Sequence, residues 1–241
     1  MAHKGSKKHV LDLINSEDFI QSLNVILQPY NASITDRKTV QPKGKDDESE
    51  YGLQSFINNN NLIELFPSLK NINSNFIDWW NPHGGKSSTW DMISLCQLDG
   101  KDAVLLVEAK AHKSEFTKAG KAKLKEGASI KAENNLINIE KRIKEACDNL
   151  NNKKPGFNIS IDSHYQLSNR VAFAWQLKQL NIPVVLLYLG FIGDSDFNDK
   201  FKNEYDWKEV FTKYIKGIVP VDFINENKSD FLFIQSSLSV K

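Results

Sequence analysis

The sequence predicts an α/β fold in which a mixed central β-sheet is flanked by helices. A first indication is the dipeptide Asp99-Gly100, which separates two strand patterns at residues 89–98 and 102–110, as in a tight hairpin. Two long helical patterns follow. The continuous apolar run at residues 182–189 is then typical of a strand buried on both faces. Helices between a hairpin and a buried strand favour a layered α/β domain.

The remaining elements are predicted in chain order. Residues 1–9 are expected to form a mobile basic tail, and Ser16 precedes an apolar helical pattern that ends near Pro29. Polar residues 36–49 predict a connecting loop. The other predicted elements are helices at residues 50–69 (broken near 58–60), 129–150, 164–180 and 207–215, and strands at 217–223 and 231–234.

Composition narrows the class of protein. The chain has 241 residues, 40% of them hydrophobic and 25% charged, with a net charge of +1, so a nucleic-acid partner must be argued from local charge. The two cysteines, Cys96 and Cys147, have no zinc-ligand spacing and favour a reducing, cytoplasmic setting. No apolar run approaches the roughly 18 residues that cross a bilayer, so no membrane partner is expected.

The hairpin places acidic residues opposite each other. With Asp99-Gly100 as the turn, facing residues have numbers that sum to 199, so Asp91 faces Glu108. Lys110 lies two residues beyond Glu108 and projects from the same face. Facing carboxylates repel each other, and a divalent cation would remove that conflict. Mg²⁺ prefers one or two carboxylates together with water and phosphate oxygens.

These residues carry a family resemblance. Asp91 followed by Val107-Glu108-Ala109-Lys110 resembles the D…(D/E)xK signature of the restriction-endonuclease-like PD-(D/E)XK nucleases, although Trp90 stands where the motif has proline. The resemblance covers residues 48–190. It implies a single nuclease-like domain over residues 1–241, with a helical part at 10–35 and a C-terminal extension at 191–241.

The resemblance also implies an activity. Asp91, Glu108 and the carbonyl of Ala109 would bind Mg²⁺, for which Mn²⁺ could substitute, and Lys110 would assist the water that attacks a phosphodiester. The expected enzyme is a DNA endonuclease of restriction or defence type acting on double-stranded DNA, and a homodimer would suit cleavage of both strands. Members often add an acid from the first core helix. The candidates are Glu48, Glu50 and Glu64, of which Glu50 is favoured.

Two further segments contain polar residues that could contact the substrate near Asp91, Glu108 and Lys110. Gln166, Asn169 and Arg170 share one face of the second long helix, where they could position a phosphate or form a buried hydrogen-bond network. The segment after Lys110 is rich in lysine between residues 113 and 125. It could grip phosphates or simply be a solvated loop.

Two alternatives to the nuclease remain open on the sequence. The first is a catalytically inert nucleic-acid-binding or interaction module on a nuclease-like fold. The second is a structural or interaction protein in which Asp91 and Glu108 only form salt bridges, as they would with lysines at a solvated sheet edge. The second alternative predicts no response to metal and little loss of stability from Glu108→Ala.

Overall fold

The computed structural model describes residues 3–44, 47–59, 63–64, 79–84, 88–226 and 230–240. Its helices are α1 (Gly5–Asn15), α2 (Phe19–Leu27), α3 (Leu53–Ile57), α4 (Ile130–Lys153), α5 (Tyr165–Gln179) and α6 (Glu204–Ile215). Its strands are β1 (Ala32–Ser33), β2 (Tyr51–Gly52), β3 (Thr89–Trp90), β4 (Met92–Leu98), β5 (Lys101–Lys110), β6 (Val184–Ile192) and β7 (Phe231–Ser239).

The main sheet is mixed and has five strands in the order β1-β4-β5-β6-β7. The pairs β1–β4 and β4–β5 are antiparallel, whereas β5–β6 and β6–β7 are parallel. A separate two-stranded sheet joins β2 to β3. The predicted α/β fold with a mixed central sheet and flanking helices is therefore confirmed. The main sheet also includes β1 and β7, which lie outside residues 48–190.

The hairpin register agrees with the prediction. Leu98 pairs with Lys101 and Met92 with Val107, so facing residue numbers sum to 199 along the whole ladder. Asp99 and Gly100 both have positive φ, 50° and 73°, as a two-residue type I′ turn requires. The turn fixes which residues of β5 face which side of the sheet, because slipping by one residue would reverse both faces.

Helices cover both faces of the sheet. On one face, even-numbered residues of β5 and β6 such as Leu106 and Leu186 pack with α4, α5 and α6. On the other face, odd-numbered residues such as Val107 and Leu187 pack with α1 and α2. Helix α5 is buried along almost its whole length, from Leu167 to Leu177. Glu108 and Lys110 are even-numbered and therefore lie on the face that α5 covers.

The prediction that residues 1–9 form a mobile tail is wrong. Residues 5–15 form helix α1, in which His9, Val10 and Ile14 are buried against the sheet. The helix begins without a capping side chain and has no acidic residue in its first turn, so its start carries none of the usual signals. Packing of one apolar face against β5 and α2 stabilises it instead.

Other boundaries differ from the predictions as well. Residues 217–223 form a turn and a short 3₁₀ helix (Val221–Phe223) rather than a strand. Residues 51–52 are extended as β2, so the predicted helix from residue 50 is confirmed only for α3, and much of residues 60–78 lies outside the described part of the chain. Within the described ranges, none of the helices has the length and apolar character that crossing a membrane requires.

Gly190 in β6 provides a test of the packing between sheet and α6. It pairs with Lys110, and a Cβ atom at this position would overlap the buried ring of Trp207. We expect Gly190→Ala to lower the free energy of unfolding by about 1–3 kcal/mol, because the ring has no room to shift. Urea unfolding measures the change, with Ser237→Ala, at the neighbouring position in β7, as the control. Equal stability of the two variants would contradict this packing.

Candidate active site

Glu108 is an acidic side chain buried at the centre of a polar cluster. Only 2% of it is exposed, and it lies near the end of β5 beneath α5. Its Oε1 accepts hydrogen bonds from Nζ of Lys110 at 2.6 Å and from Nε2 of Gln166 at 2.7 Å. Its Oε2 accepts from Nε of Arg170 at 2.7 Å. Lys110 also donates to Oε1 of Gln166 at 3.1 Å, so the amide of Gln166 bridges the ion pair.

Helix α5 supplies the other side of the cluster. Gln166, Asn169 and Arg170 lie on one face, as their spacing predicted, and Arg170 extends its guanidinium between Glu108 and the chain before β3. There Nη1 of Arg170 donates to the hydroxyl of Ser88 and to Oδ1 of Asn169. The guanidinium carbon lies 4.3 Å from the centre of the Trp90 ring, a cation–π contact with a buried indole. Arg170 is therefore held on three sides.

Asp91 occupies the point where β4 leaves β5. The ladder stops at Met92–Val107, and Asp91 forms a bend between β3 and β4 instead of a paired strand residue. Its Oδ2 accepts a hydrogen bond of 2.7 Å from the backbone N–H of Ala109, which has no strand partner in β4. None of the described residues donates to its Oδ1. The carboxylate thus accepts the backbone hydrogen bond that a continued β4 would accept, and its other oxygen has no donor among the described residues.

The carbonyl of Ala109 points to the same edge as Asp91. In a ladder, the N–H and C=O of one residue point toward the same neighbouring strand. The N–H of Ala109 meets Asp91, whereas the N–H of Val104, an even-numbered residue, bonds to Pro183 on the β6 side. Asp91, the Ala109 carbonyl and Glu108 therefore all lie at the end of β5, and the charge of Glu108 acts on Asp91.

The charges of the cluster shift two carboxyl groups in opposite directions. Burial, reinforced by the nearby charge of Glu108, raises the pKa of Asp91 from 3.8 to about 7. Burial would also raise the pKa of Glu108, but the facing charges and hydrogen bonds of Arg170 and Lys110 outweigh it and hold that pKa below its usual value. Glu108 is thus a carboxylate at neutral pH, while Asp91 lies near its titration midpoint.

The predicted additional acid is close to Asp91 but not on a helix. Glu50 lies in the loop before β2, where its carboxylate accepts a hydrogen bond of 2.7 Å from the hydroxyl of Thr89. Glu48 and Glu50 border the same small cavity as Asp91. Across the described ranges, however, no three His, Cys, Asp or Glu side chains are grouped so that they could hold a metal ion. Glu64 has no described contact with this cavity.

Two contributors to the cluster were not predicted from the sequence. Ser88 bonds both Asn169 and Arg170, but one serine in a polar loop carries no distinguishing signal. Tyr188 pairs with Glu108 across β5 and β6, and its buried hydroxyl has no hydrogen-bond partner in the described chain. Its hydroxyl stands alone within the apolar run at 182–189, a pattern that could have singled it out.

Comparisons of the chain with protein-family models, with curated proteins and with solved structures found no match. The site is therefore interpreted from its own residues.

Arg170 provides a test of the buried cluster. We expect Arg170→Met to lower the free energy of unfolding by about 3–5 kcal/mol, because it leaves Glu108 buried with fewer partners. The double variant Glu108→Gln with Arg170→Met should recover part of this loss, since no uncompensated charge remains. Lys178→Met, which breaks an ion pair with the exposed Asp230 at the other end of α5, should cost only about 0–1 kcal/mol.

Urea unfolding of the four proteins at neutral pH gives these values. A cost for Arg170→Met no larger than that for Lys178→Met would contradict a buried, paired Glu108.

The raised pKa of Asp91 can be tested through the pH dependence of the protein's stability. Because its pKa in the folded protein is raised from 3.8 to about 7, the folded state retains a proton that the unfolded chain loses between those values. Its contribution to the free energy of unfolding therefore falls as the pH rises from about 4 to about 7 and is constant above that. The Asp91→Asn variant would have no such loss. In EDTA, the Tm of the variant minus that of the wild type should therefore increase as the pH rises from about 4 to about 7. Each kcal/mol of difference in the free energy of unfolding should shift Tm by about 2–4 °C.

Differential scanning calorimetry from pH 4 to pH 8 measures this difference in Tm. Asp102→Asn, at the exposed opposite end of β5, serves as the control. A difference in Tm between Asp91→Asn and wild type that does not change with pH would contradict the raised pKa of Asp91.

Proposed function

We propose that this protein is a metal-dependent nuclease that hydrolyses phosphodiester bonds, with double-stranded DNA as its substrate and a restriction-endonuclease-like core. The observation that carries the proposal is the proximity of Asp91, Glu108 and Lys110 at one strand end, where the charges of Glu108 and Lys110 both act on Asp91, within a described core that is mostly apolar. Burying charged groups together costs free energy, and such clusters occur preferentially at functional sites. A restriction or defence nuclease of this kind would work in the cytoplasm, which its two free cysteines fit.

The residues present fit a divalent cation. Oδ1 of Asp91 is not bonded by any described residue, the Ala109 carbonyl points to the same edge, and Glu108 carries a full negative charge. Two carboxylates and one carbonyl are oxygen ligands of the type and number that Mg²⁺ accepts while retaining water. Mg²⁺ or Mn²⁺ held there would polarise the phosphoryl group and offset the negative charge that develops during attack.

The neighbouring side chains would hold the attacking water and position the groups that take part in the reaction. Lys110 uses two donors on Glu108 and Gln166, and its third N–H has no acceptor in the described chain, so it could hold an attacking water. Gln166 fixes the position of Lys110, and Arg170 fixes Glu108. Asn169 and Ser88 fix Arg170 in turn. Glu50 would act at a distance through Thr89.

The lysine-rich loop after β5 supplies local positive charge for a polyanion. Residues 116–128 have little regular structure and are largely exposed. Lys118, Lys123 and Lys125 form no ion pair with any residue that the structure describes. Unpaired lysines on an exposed loop contact phosphates without reading sequence. A second copy of the chain, which would place two such sites on a duplex, belongs to the same proposal.

One observation favours the inert module as an alternative. Both oxygens of Glu108 are already bonded by Lys110, Gln166 and Arg170, so the cluster can persist without a metal. Glu108 is buried and so does not lie at a solvated edge, but it forms ion pairs with Lys110 and Arg170, as the structural alternative expects. The response to metal separates the nuclease from the inert module. A bound cation stabilises the folded state by an amount that grows with its concentration.

We expect Mg²⁺ and Mn²⁺ to raise the Tm of the wild-type protein and to leave that of Asp91→Asn unchanged, because the substitution removes one ligand charge. Differential scanning fluorimetry at pH 8, with Ca²⁺-free buffer and an EDTA reference, measures the shift. Equal shifts for both proteins would place the metal elsewhere and count against the proposed site.

Cleavage of supercoiled plasmid tests the activity itself. With Mg²⁺ or Mn²⁺ the wild-type protein should nick or cut the plasmid, and EDTA should prevent it. Asp91→Ala and Lys110→Ala should each lower the rate by at least about a hundredfold, because one removes a metal ligand and the other the hydrogen-bond donor that holds the attacking water. Asp102→Ala and Lys101→Ala make the same two changes at the exposed end of the same hairpin and should retain the wild-type rate.

Discrete fragments would indicate sequence-specific cleavage. Loss of activity in all four variants, or in none of them, would contradict the assignment of the reaction to Asp91 and Lys110.

A further inference from the structure

A cleft of about 520 Å³ opens beside the buried cluster, between α4, α5 and the start of β3. Three of the residues that line it, Gln166, Asn169 and Arg170, also surround or support Glu108. Its other lining residues include Lys121, Leu124, Leu136, Ile139 and Tyr165. The cleft thus lies beside the proposed active site, separated from Glu108 by the side chains of Gln166 and Arg170, and it is not used by the chemistry described above.

Part of the cleft is lined by polar side chains whose N–H groups are not all hydrogen-bonded to described residues. Nδ2 of Asn169 and Nη2 of Arg170 bond to no acceptor in the described chain, although the opposite atoms of both side chains are engaged. Lys121 holds its ammonium 4.7 Å from the centre of the Tyr165 ring at the rim. Of the described lining residues, two are cationic and none is acidic. These donors and charges complement an anion such as a phosphate.

Apolar and aromatic side chains line the cleft as well. Leu136 and Ile139 project from α4, Leu124 comes from the lysine-rich loop, and Tyr165 lies on α5 with its ring in contact with Lys121. A phosphate alone would leave these apolar side chains without a partner. A nucleobase would cover them, since bases stack on aromatic rings and pack on apolar side chains. The volume suits one small ligand and is far too small for a base pair within a duplex.

We propose that this cleft binds one unpaired nucleotide of the substrate strand, next to the bond that is cleaved. Its phosphate would meet Asn169, Arg170 and Lys121, and its base would lie between Tyr165 and the apolar side of α4. The choice of a nucleotide as the ligand rests on the proposed nuclease function. A nucleotide inside a duplex enters such a pocket only after leaving the stack, which is easiest at strand ends and mismatches. The enzyme should therefore prefer those substrates.

Adjacent residues of α4 provide a matched pair of variants. Leu136 lines the cleft, whereas Ile137 is 63% exposed and does not line it. Leu136→Glu would place a negative charge beside the phosphate, and Ile137→Glu would place the same charge in solvent. Lys121→Ala removes a loop cation without touching the core. Binding is measured by isothermal titration calorimetry in EDTA, with thymidine monophosphate as the probe and thymidine and inorganic phosphate for comparison.

We expect thymidine monophosphate to bind more tightly than either fragment. Lys121→Ala should weaken it about tenfold, as loss of a charge-assisted contact does. Leu136→Glu should abolish binding, and Ile137→Glu should not change it, provided that both variants melt as the wild type does. If Leu136→Glu fails to fold, Lys121→Ala still tests the site. Binding no tighter than that of phosphate, or equal loss in both glutamate variants, would overturn the proposal.

A cleavage assay separates this proposal from the nuclease itself. The rates are compared on a duplex that carries one mismatch and on the fully paired duplex. Binding of thymidine monophosphate without any cleavage would remove the nuclease proposal and keep the cleft. Cleavage without nucleotide binding, at equal rates on both duplexes, would keep the nuclease and overturn the cleft.

Discussion

The burial of the Glu108 carboxylate is the constraint that organises this end of the molecule. An ionised carboxylate removed from water is tolerated only when charged and hydrogen-bonding partners surround it. Lys110 supplies one partner from the same strand, and α5 supplies Gln166 and Arg170. Helix α5 must therefore lie across β5 at this depth. The apolar remainder of α5 packs on β6 and β7 and holds it there. Packing and charge pairing thus specify the same arrangement.

The end of the β4–β5 ladder explains why the cluster is available for chemistry. If β4 continued beside Ala109, its backbone would occupy the edge where Asp91 now lies. The bend at Asp91 instead substitutes a carboxylate for a strand and leaves one of its oxygens free of described donors. The same bend ends the segment that contains Ser88, which supports Arg170. One departure from regular strand geometry therefore provides both a candidate ligand and part of its support.

The sequence predicted the parts of the fold that local chemistry determines. The Asp99-Gly100 turn admits one register, which placed Glu108 and Lys110 on one face, and helical spacing placed Gln166, Asn169 and Arg170 together. It did not predict the bend at Asp91, because turn geometry fixes a register but not where pairing stops. Nor did it predict α1, which lacks capping signals and depends on contacts with the sheet. Such features depend on tertiary packing that no short window of sequence contains.

The most direct test of the central claim is to locate the cation itself. Crystals of the wild-type protein grown with Mn²⁺ allow an anomalous difference map to be computed at the manganese edge. The account predicts one peak at the end of β5, within ligand distance of carboxylate oxygens of Asp91 and Glu108 and of the Ala109 carbonyl. The peak should be absent in Asp91→Asn. A peak elsewhere, or no peak with Mn²⁺ at saturating concentration, would contradict the account.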